Sequence, residues 1–143
     1  MFATIKIVIM GNKPKKSGNN PQPTASELAI LQLLWERGPL AVKDIHEALS
    51  VEKEVVYTTI LKTMQVMMER GFLDRESQGR KHIYSAAIAQ EETQEKLLDT
   101  FVKRTFGGSK LQLVMKALGN SKTSKEELDE LKAYIQDLES DKA

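Results

Sequence analysis

The chain has 143 residues, 41% of them hydrophobic and 29% charged, and a net charge of only +1 from 21 Lys plus Arg against 20 Asp plus Glu. That is enough apolar material for one domain, or one small domain with an appendage, and too much for a wholly disordered polymer. Cysteine is absent, which excludes disulfides, thiolate metal sites and a cysteine nucleophile, and fits a reducing cytoplasm.

Charge is unevenly spread. Residues 1–23 carry four lysines and no acid, residues 24–88 eight basic and nine acidic groups, and residues 89–143 nine and eleven. The opening MFATIKIVIM is a short apolar patch broken by Lys6. It lacks an A-x-A-like cleavage site, so it is expected to be an unstructured tail, or the product of an upstream start codon with true initiation at Met10. No apolar run approaches the ~20 residues needed to cross a bilayer, so no membrane insertion is expected. The Gly/Pro/Asn/Lys segment from Gly11 to Pro23 cannot bury a core, so residues 1–23 are expected to form a flexible basic arm.

Structure is expected from Thr24. Thr24-Ala-Ser-Glu27 matches a capping box, and Leu28, Leu31, Leu34 and Trp35 recur at helical spacing as a buried stripe. Gly38-Pro39 stops that helix. A second helix is expected from about Val42 to Leu49, with Val42, Ile45 and Leu49 inward, and Leu40-Ala41 as a very short strand before it. The third helix is expected from about Lys53 to Arg70, with Val56, Ile60, Met64 and Met67 inward and Gly71 as its cap. Phe72, Leu73 and Arg75 open a strand, Gln78-Gly79-Arg80 turns, and His82, Ile83 and Tyr84 return. From Gln90 the pattern is purely helical. Leu97, Leu98, Phe101 and Val102 share a face up to Gly107-Gly108, Leu111, Val114, Met115 and Leu118 form a second stripe ending at Gly119-Asn120, and the capping box Ser124–Glu127 opens a last helix carrying Leu128, Leu131, Ile135 and Leu138. The expected class is mainly α with a small β-hairpin: a winged helix-turn-helix domain over 24–88, then a helical region over 89–143.

The chemistry points to nucleic acid through placement rather than bulk charge. With its apolar stripe buried, the third helix projects Tyr57, Thr58, Thr59 and Lys62, whose hydroxyls, methyls and ammonium suit phosphates and base edges. Glu52 and Glu54 sit near the same end, where they favour the helix dipole but repel DNA. Arg75, Arg80 and Lys81 cluster around Gly79, as expected of a wing lying along phosphates or in a minor groove; Tyr84 is expected beneath the wing. The alternative chemistries are thin. His46 and His82 lie in no metal-type spacing and read as a surface helix residue and a strand residue, so no metal or cofactor is expected. Gly107-Gly108-Ser109-Lys110 lacks the upstream glycine and strand of a phosphate loop, and no G-x-S-x-G occurs. The adjacent carboxylate pairs Glu91-Glu92 and Glu126-Glu127 are explained by helix starts, so enzyme activity is not expected.

These pieces fall in order at a familiar spacing: TASELAILQLLWERGPLAVKDIHEAL, VYTTILKTM, ERGFLDR, GRKHIY, LQLVMKALGN and SKEELDELKAYI. Together they resemble the penicillinase-repressor family of bacterial winged-helix repressors over about Thr24 to Leu138. The resemblance implies a homodimer whose winged helices bind a pseudo-palindromic double-stranded operator. It places Thr58, Thr59 and Lys62 in the major groove and Arg80 and Lys81 on the wing. Dimer contacts are implied for Leu97, Phe101, Leu111, Val114, Leu118, Leu131 and Ile135. Studied resistance repressors are relieved when a membrane sensor-protease signals a cut at an Asn-Phe bond. The matching bond here is Lys116-Ala117, a departure from that pattern. Copper-responsive relatives carry a C-terminal cysteine cluster, which this chain lacks. Two other readings of the same residues stay open: a winged-helix protein-interaction module, and a regulator with a small-molecule pocket.

Overall fold

The structure, a computed structural model, describes residues 22–120 and 122–142. The expectations about the arm and about Met1 or Met10 lie outside the described residues, except at Gln22 and Pro23. In chain order the elements are α1 (Ala25–Arg37), β1 (Leu40–Ala41), α2 (Val42–Leu49), α3 (Tyr57–Glu69), β2 (Leu73–Gln78), β3 (Lys81–Ala86), α4 (Gln90–Phe106), α5 (Lys110–Asn120) and α6 (Lys125–Lys142). They divide into two compact units, one running through Leu97 and the other beginning at Leu98.

In the first unit each helix ends where local chemistry ends it. Thr24 caps α1, its Oγ1 accepting from the Glu27 amide at 3.2 Å while Glu27 Oε1 accepts from the Thr24 amide at 2.9 Å. Gly38 closes that helix at φ 88, a left-handed geometry that glycine adopts without a Cβ penalty. The end of α3 is a Schellman turn: the Gly71 amide donates to Met68 O at 3.1 Å and the Phe72 amide to Met67 O at 2.9 Å, with Gly71 at φ 84.

The core draws Ile30, Leu31, Leu34 and Trp35 from α1, Val42 and Ile45 from α2, Ile60, Met64 and Met67 from α3, and Phe72, Leu73, Tyr84 and Ala86 from the sheet and its approach. Burying a side chain of this size contributes ~1.5–3 kcal/mol, so the three-helix layer and the sheet hold one another. Within α1 the stripe is shifted from expectation. Ile30 is buried, whereas Leu28 is only partly so, because α1 is covered from the side of Ile30 and Leu34 rather than along Leu28.

The sheet is antiparallel with order β1-β3-β2. Leu40 pairs with Tyr84 and Ala41 with Ile83, so the two-residue strand joins the hairpin as expected. The hairpin closes at Gln78↔Lys81 through Gly79-Arg80. Gly79 has φ 65, and among the described residues no non-glycine has positive φ. That is the pattern of a type II′ turn, whose twist matches the strands it joins.

The third helix departs from expectation. It begins at Tyr57, not near Lys53, with Val56 as N-cap in extended geometry. Val56 is therefore not on the inward face; it is 62% exposed. Val55 takes the inward place, packed against the core, and its carbonyl is held by His46, which keeps the β-branched pair extended. Glu52 and Glu54 consequently precede the helix, whose first turn contains no acid. They do not act as first-turn partners of its dipole.

In the second unit, Gly107 and Gly108, at φ 58 and 91, break the chain between α4 and α5. Ser124 caps α6 as expected, with Ser124 Oγ accepting from the Glu127 amide at 3.1 Å and Glu127 Oε1 accepting from the Ser124 amide at 3.1 Å. α5 ends at Gly119-Asn120, as expected. No helix among the described residues is long and apolar enough to cross a membrane.

Candidate nucleic-acid interface

Ile60, Met64 and Met67 fix which side of α3 is inward. Tyr57, Thr58, Thr59 and Lys62 are all exposed. The late start puts Tyr57, Thr58 and Thr59 in the first three helical positions. Helix geometry leaves the first amides without partners four residues back, and Val56 offers no side-chain cap. The Thr59 amide does reach Val56 O at 3.1 Å. The amides of Tyr57 and Thr58 thus join two threonine hydroxyls and the Lys62 ammonium on one end of the helix. Hydroxyls, free amides and the positive end of the macrodipole suit phosphate oxygens and base acceptors.

The wing is more finely divided than its sequence suggests. Register puts Leu73, Arg75, Ser77, His82, Tyr84 and Ala86 on one face of the ribbon and Asp74, Glu76, Gln78, Lys81, Ile83 and Ser85 on the other. Arg75 and Lys81 therefore point to opposite faces, with Arg80 in the turn between them. All three are exposed. Tyr84 is buried beneath the wing, as expected. The Asp74 carboxyl is pushed above the ordinary carboxylate value by burial.

Three supporting residues were not read as such from the sequence. His46 is half-buried rather than a plain surface residue. Its Nε2 lies 2.6 Å from Val55 O, which accepts from it, and its ring stands edge-on to Tyr57 at 5.4 Å. It lies four residues after Val42 and three before Leu49, so helical spacing does put it on the side of α2 that packs. Glu27 is 5% exposed and receives Arg70 Nη1 at both carboxylate oxygens, 2.9 and 2.7 Å away. Arg70 also stacks over Phe72 at 4.7 Å and donates to Gln22 O at 3.3 Å. Glu27 stands four residues before Leu31 and seven before Leu34, on the apolar stripe itself, and its capping role hid that second role.

The residues proposed for dimer contacts all fall on α4, α5 and α6. Phe101, Leu111, Val114, Leu118 and Ile135 are exposed; Leu97 and Leu131 are half-buried. Ten of the fourteen exposed large hydrophobic side chains among the described residues lie in the second unit, which concentrates unpartnered apolar surface there. Phe101 meets Phe106 edge-on at 5.9 Å. Lys116 and Ala117 are exposed on α5.

The chain is similar to several known proteins. The family model described as penicillinase repressor matches residues 23–137. The penicillinase repressor of Bacillus licheniformis is 23% identical over 117 residues, spanning 82% of this chain and 91% of that protein. The transcriptional regulator BlaI of Mycobacterium tuberculosis is 25% identical over 115 residues, spanning 79% and 82%. Among solved structures, the Bacillus licheniformis BlaI monomeric form in complex with the blaP half-operator matches with a TM-score of 0.45 and 20% identity, covering 52% of this chain and 90% of that one. Because the family model runs from the residue before the α1 cap deep into α6, it takes in the helix-and-wing unit and the apolar helices alike, and the chain belongs to the penicillinase-repressor family, a family of transcriptional repressors and not of enzymes.

Proposed function

We propose that this chain is a transcriptional repressor that binds a pseudo-palindromic operator in double-stranded DNA as a homodimer. The observation that carries the reading is the uncapped, exposed first turn of α3, where the free amides of Tyr57 and Thr58 sit beside the Thr58 and Thr59 hydroxyls on a helix backed by Ile60, Met64 and Met67. Residues 24–88 act as the reader: Tyr57, Thr58, Thr59 and Lys62 meet the major groove, and Arg75, Arg80 and Lys81 meet the backbone from the wing. Residues 89–143 act as the dimerisation region, through Leu97, Phe101, Leu111, Val114, Leu118, Leu131 and Ile135. Exposed apolar surface of this density marks an interaction site. The reader's own charge is close to neutral, eight basic groups against nine acids. Joining two readers supplies the affinity that one lacks.

Repression follows from occupying a promoter in the cytoplasm. Relief follows from cleavage at Lys116-Ala117 when a membrane sensor-protease is activated; a cut there separates α6 from the rest and removes part of the dimer surface. Anisotropy titration of a duplex from the chain's own upstream region tests the core of this reading. Specific binding that steepens with a two-site operator supports it, and equal binding to scrambled duplex at every salt concentration rejects it. Mass spectrometry of the chain from induced cells tests the relief step.

A further inference from the structure

We infer that Val56 is a specificity-determining residue that packs on the C5-methyl group of a thymine. The inference rests on the reading of α3 as the DNA-reading helix and names one base feature that it reads. Helix N-caps favour Ser, Thr, Asp and Asn, whose oxygens accept from the free amides. Val56 occupies that position and makes no such bond. Nor is it explained by packing, being 62% exposed while Val55 beside it packs on the core.

Both of its neighbours are anchored, and by the same side chain. His46 Nε2 holds the Val55 carbonyl at 2.6 Å, and the His46 ring stands edge-on to Tyr57 at an interplanar angle of 76°. A β-branched side chain is itself restricted about its first torsion. Val56 is thus a stiff apolar side chain fixed between two held residues, at the tip of the helix end that offers amides and hydroxyls to acceptors. The major groove presents donors, acceptors and one apolar group, the thymine methyl. A surface that is polar around a single fixed aliphatic side chain complements that pattern. Val51 is also exposed, but only one of its neighbours is held, Ser50, whose amide donates to His46 O at 3.0 Å.

The experiment selects an operator from a random duplex pool with the full-length chain, then replaces each thymine in turn with deoxyuridine, which lacks only the methyl. At one position in each half-site, the wild-type chain loses affinity by about fourfold, the worth of one methyl-sized group removed from water. Val56→Ala shows no loss at that same position. Val56→Ser, which restores a capping oxygen and so keeps the helix start formed, binds thymine and uracil operators equally. Specific binding with every uracil replacement neutral overturns the inference, as does a Val56→Ala chain that keeps the wild-type penalty. Failure to select any operator instead overturns the DNA-reading assignment of α3, and the inference with it.

Discussion

Arg70 Nη1 lies 2.9 and 2.7 Å from the two carboxylate oxygens of Glu27, tying the C-cap of α3 to the first turn of α1. Glu27 is nearly inaccessible, so its charge depends on this guanidinium and on the Thr24 amide. The same Arg70 stacks on Phe72 and reaches Gln22 O. One side chain therefore sets where α3 ends against α1 and where the chain enters the fold.

Removing Arg70 strands a buried carboxylate, which costs about 3 kcal/mol when a partner of a buried pair is lost. Arg70→Ala should lower the urea midpoint strongly. Glu27→Ala, Arg70→Ala and the double variant form a cycle in which the double variant is less destabilised than the sum. Additive losses would show that the pair is not coupled.

Thr59→Ala and Lys62→Ala should each weaken binding to the selected operator by ~1–3 kcal/mol, with little effect on scrambled duplex. Arg80→Ala should instead weaken both duplexes alike and reduce the slope of log affinity against log salt by about one. Titrations over a range of salt separate the two behaviours. A specificity change in Arg80→Ala would move the wing from the backbone to the bases.

Glu52 and Glu54 are exposed just before the α3 first turn and contribute no first-turn partner to its dipole. Their cost to stability on neutralisation should be small, and their repulsion of phosphate is removed. Glu52→Gln/Glu54→Gln should bind every duplex more tightly at low salt, with the gain shrinking as the Debye length falls to ~8 Å near physiological ionic strength. Unchanged affinity at low salt would place both carboxylates away from the duplex.

Phe101→Asp and Ile135→Asp place a charge in surface that the dimer reading buries. Each should convert the chain to monomer at micromolar concentration in sedimentation, since each apolar side chain buried contributes ~1.5–3 kcal/mol. Operator affinity should fall with it, while binding to an isolated half-site stays unchanged. An unaltered dimer would locate the interface elsewhere.

Burial raises the Asp74 carboxyl above its ordinary value. The native state then holds that proton more tightly than the unfolded chain, and the group exerts no effect below both values. As pH rises from the ordinary carboxylate value through the raised one, the native state loses stability relative to an Asp74→Asn variant. Urea midpoints of the two chains from pH 3 to 7 should diverge in that direction, Asp74→Asn being the more stable at neutral pH. Parallel curves would show that Asp74 titrates alike folded and unfolded.

Much of this molecule is legible in its residues, and the exceptions have physical causes. Capping boxes at Thr24 and Ser124, the glycine ends at Gly38 and Gly71, and the turn at Gly79 depend on local geometry, which short sequence windows carry. The start of α3 does not, because Val55 and Val56 fit helical spacing as well as extended backbone. The choice is made by His46, nine residues upstream of Val55. In the wing, three cations within seven residues suggest one patch, whereas the pairing register separates Arg75 from Lys81 across the ribbon. Glu27 shows the reverse case: its spacing from Leu31 and Leu34 already put a carboxylate on the buried stripe, and the distant Arg70 explains how it is tolerated.

Hydroxyl-radical footprinting of the full-length chain on its selected operator measures paired operator binding through α3. Two protected half-sites are expected one helical turn or a multiple apart (about 10 base pairs each), with loss of both when Thr58, Thr59 and Lys62 are replaced together by alanine in a chain that still folds. Protection of a single unpaired site, or a footprint indifferent to that triple replacement, contradicts paired binding through α3.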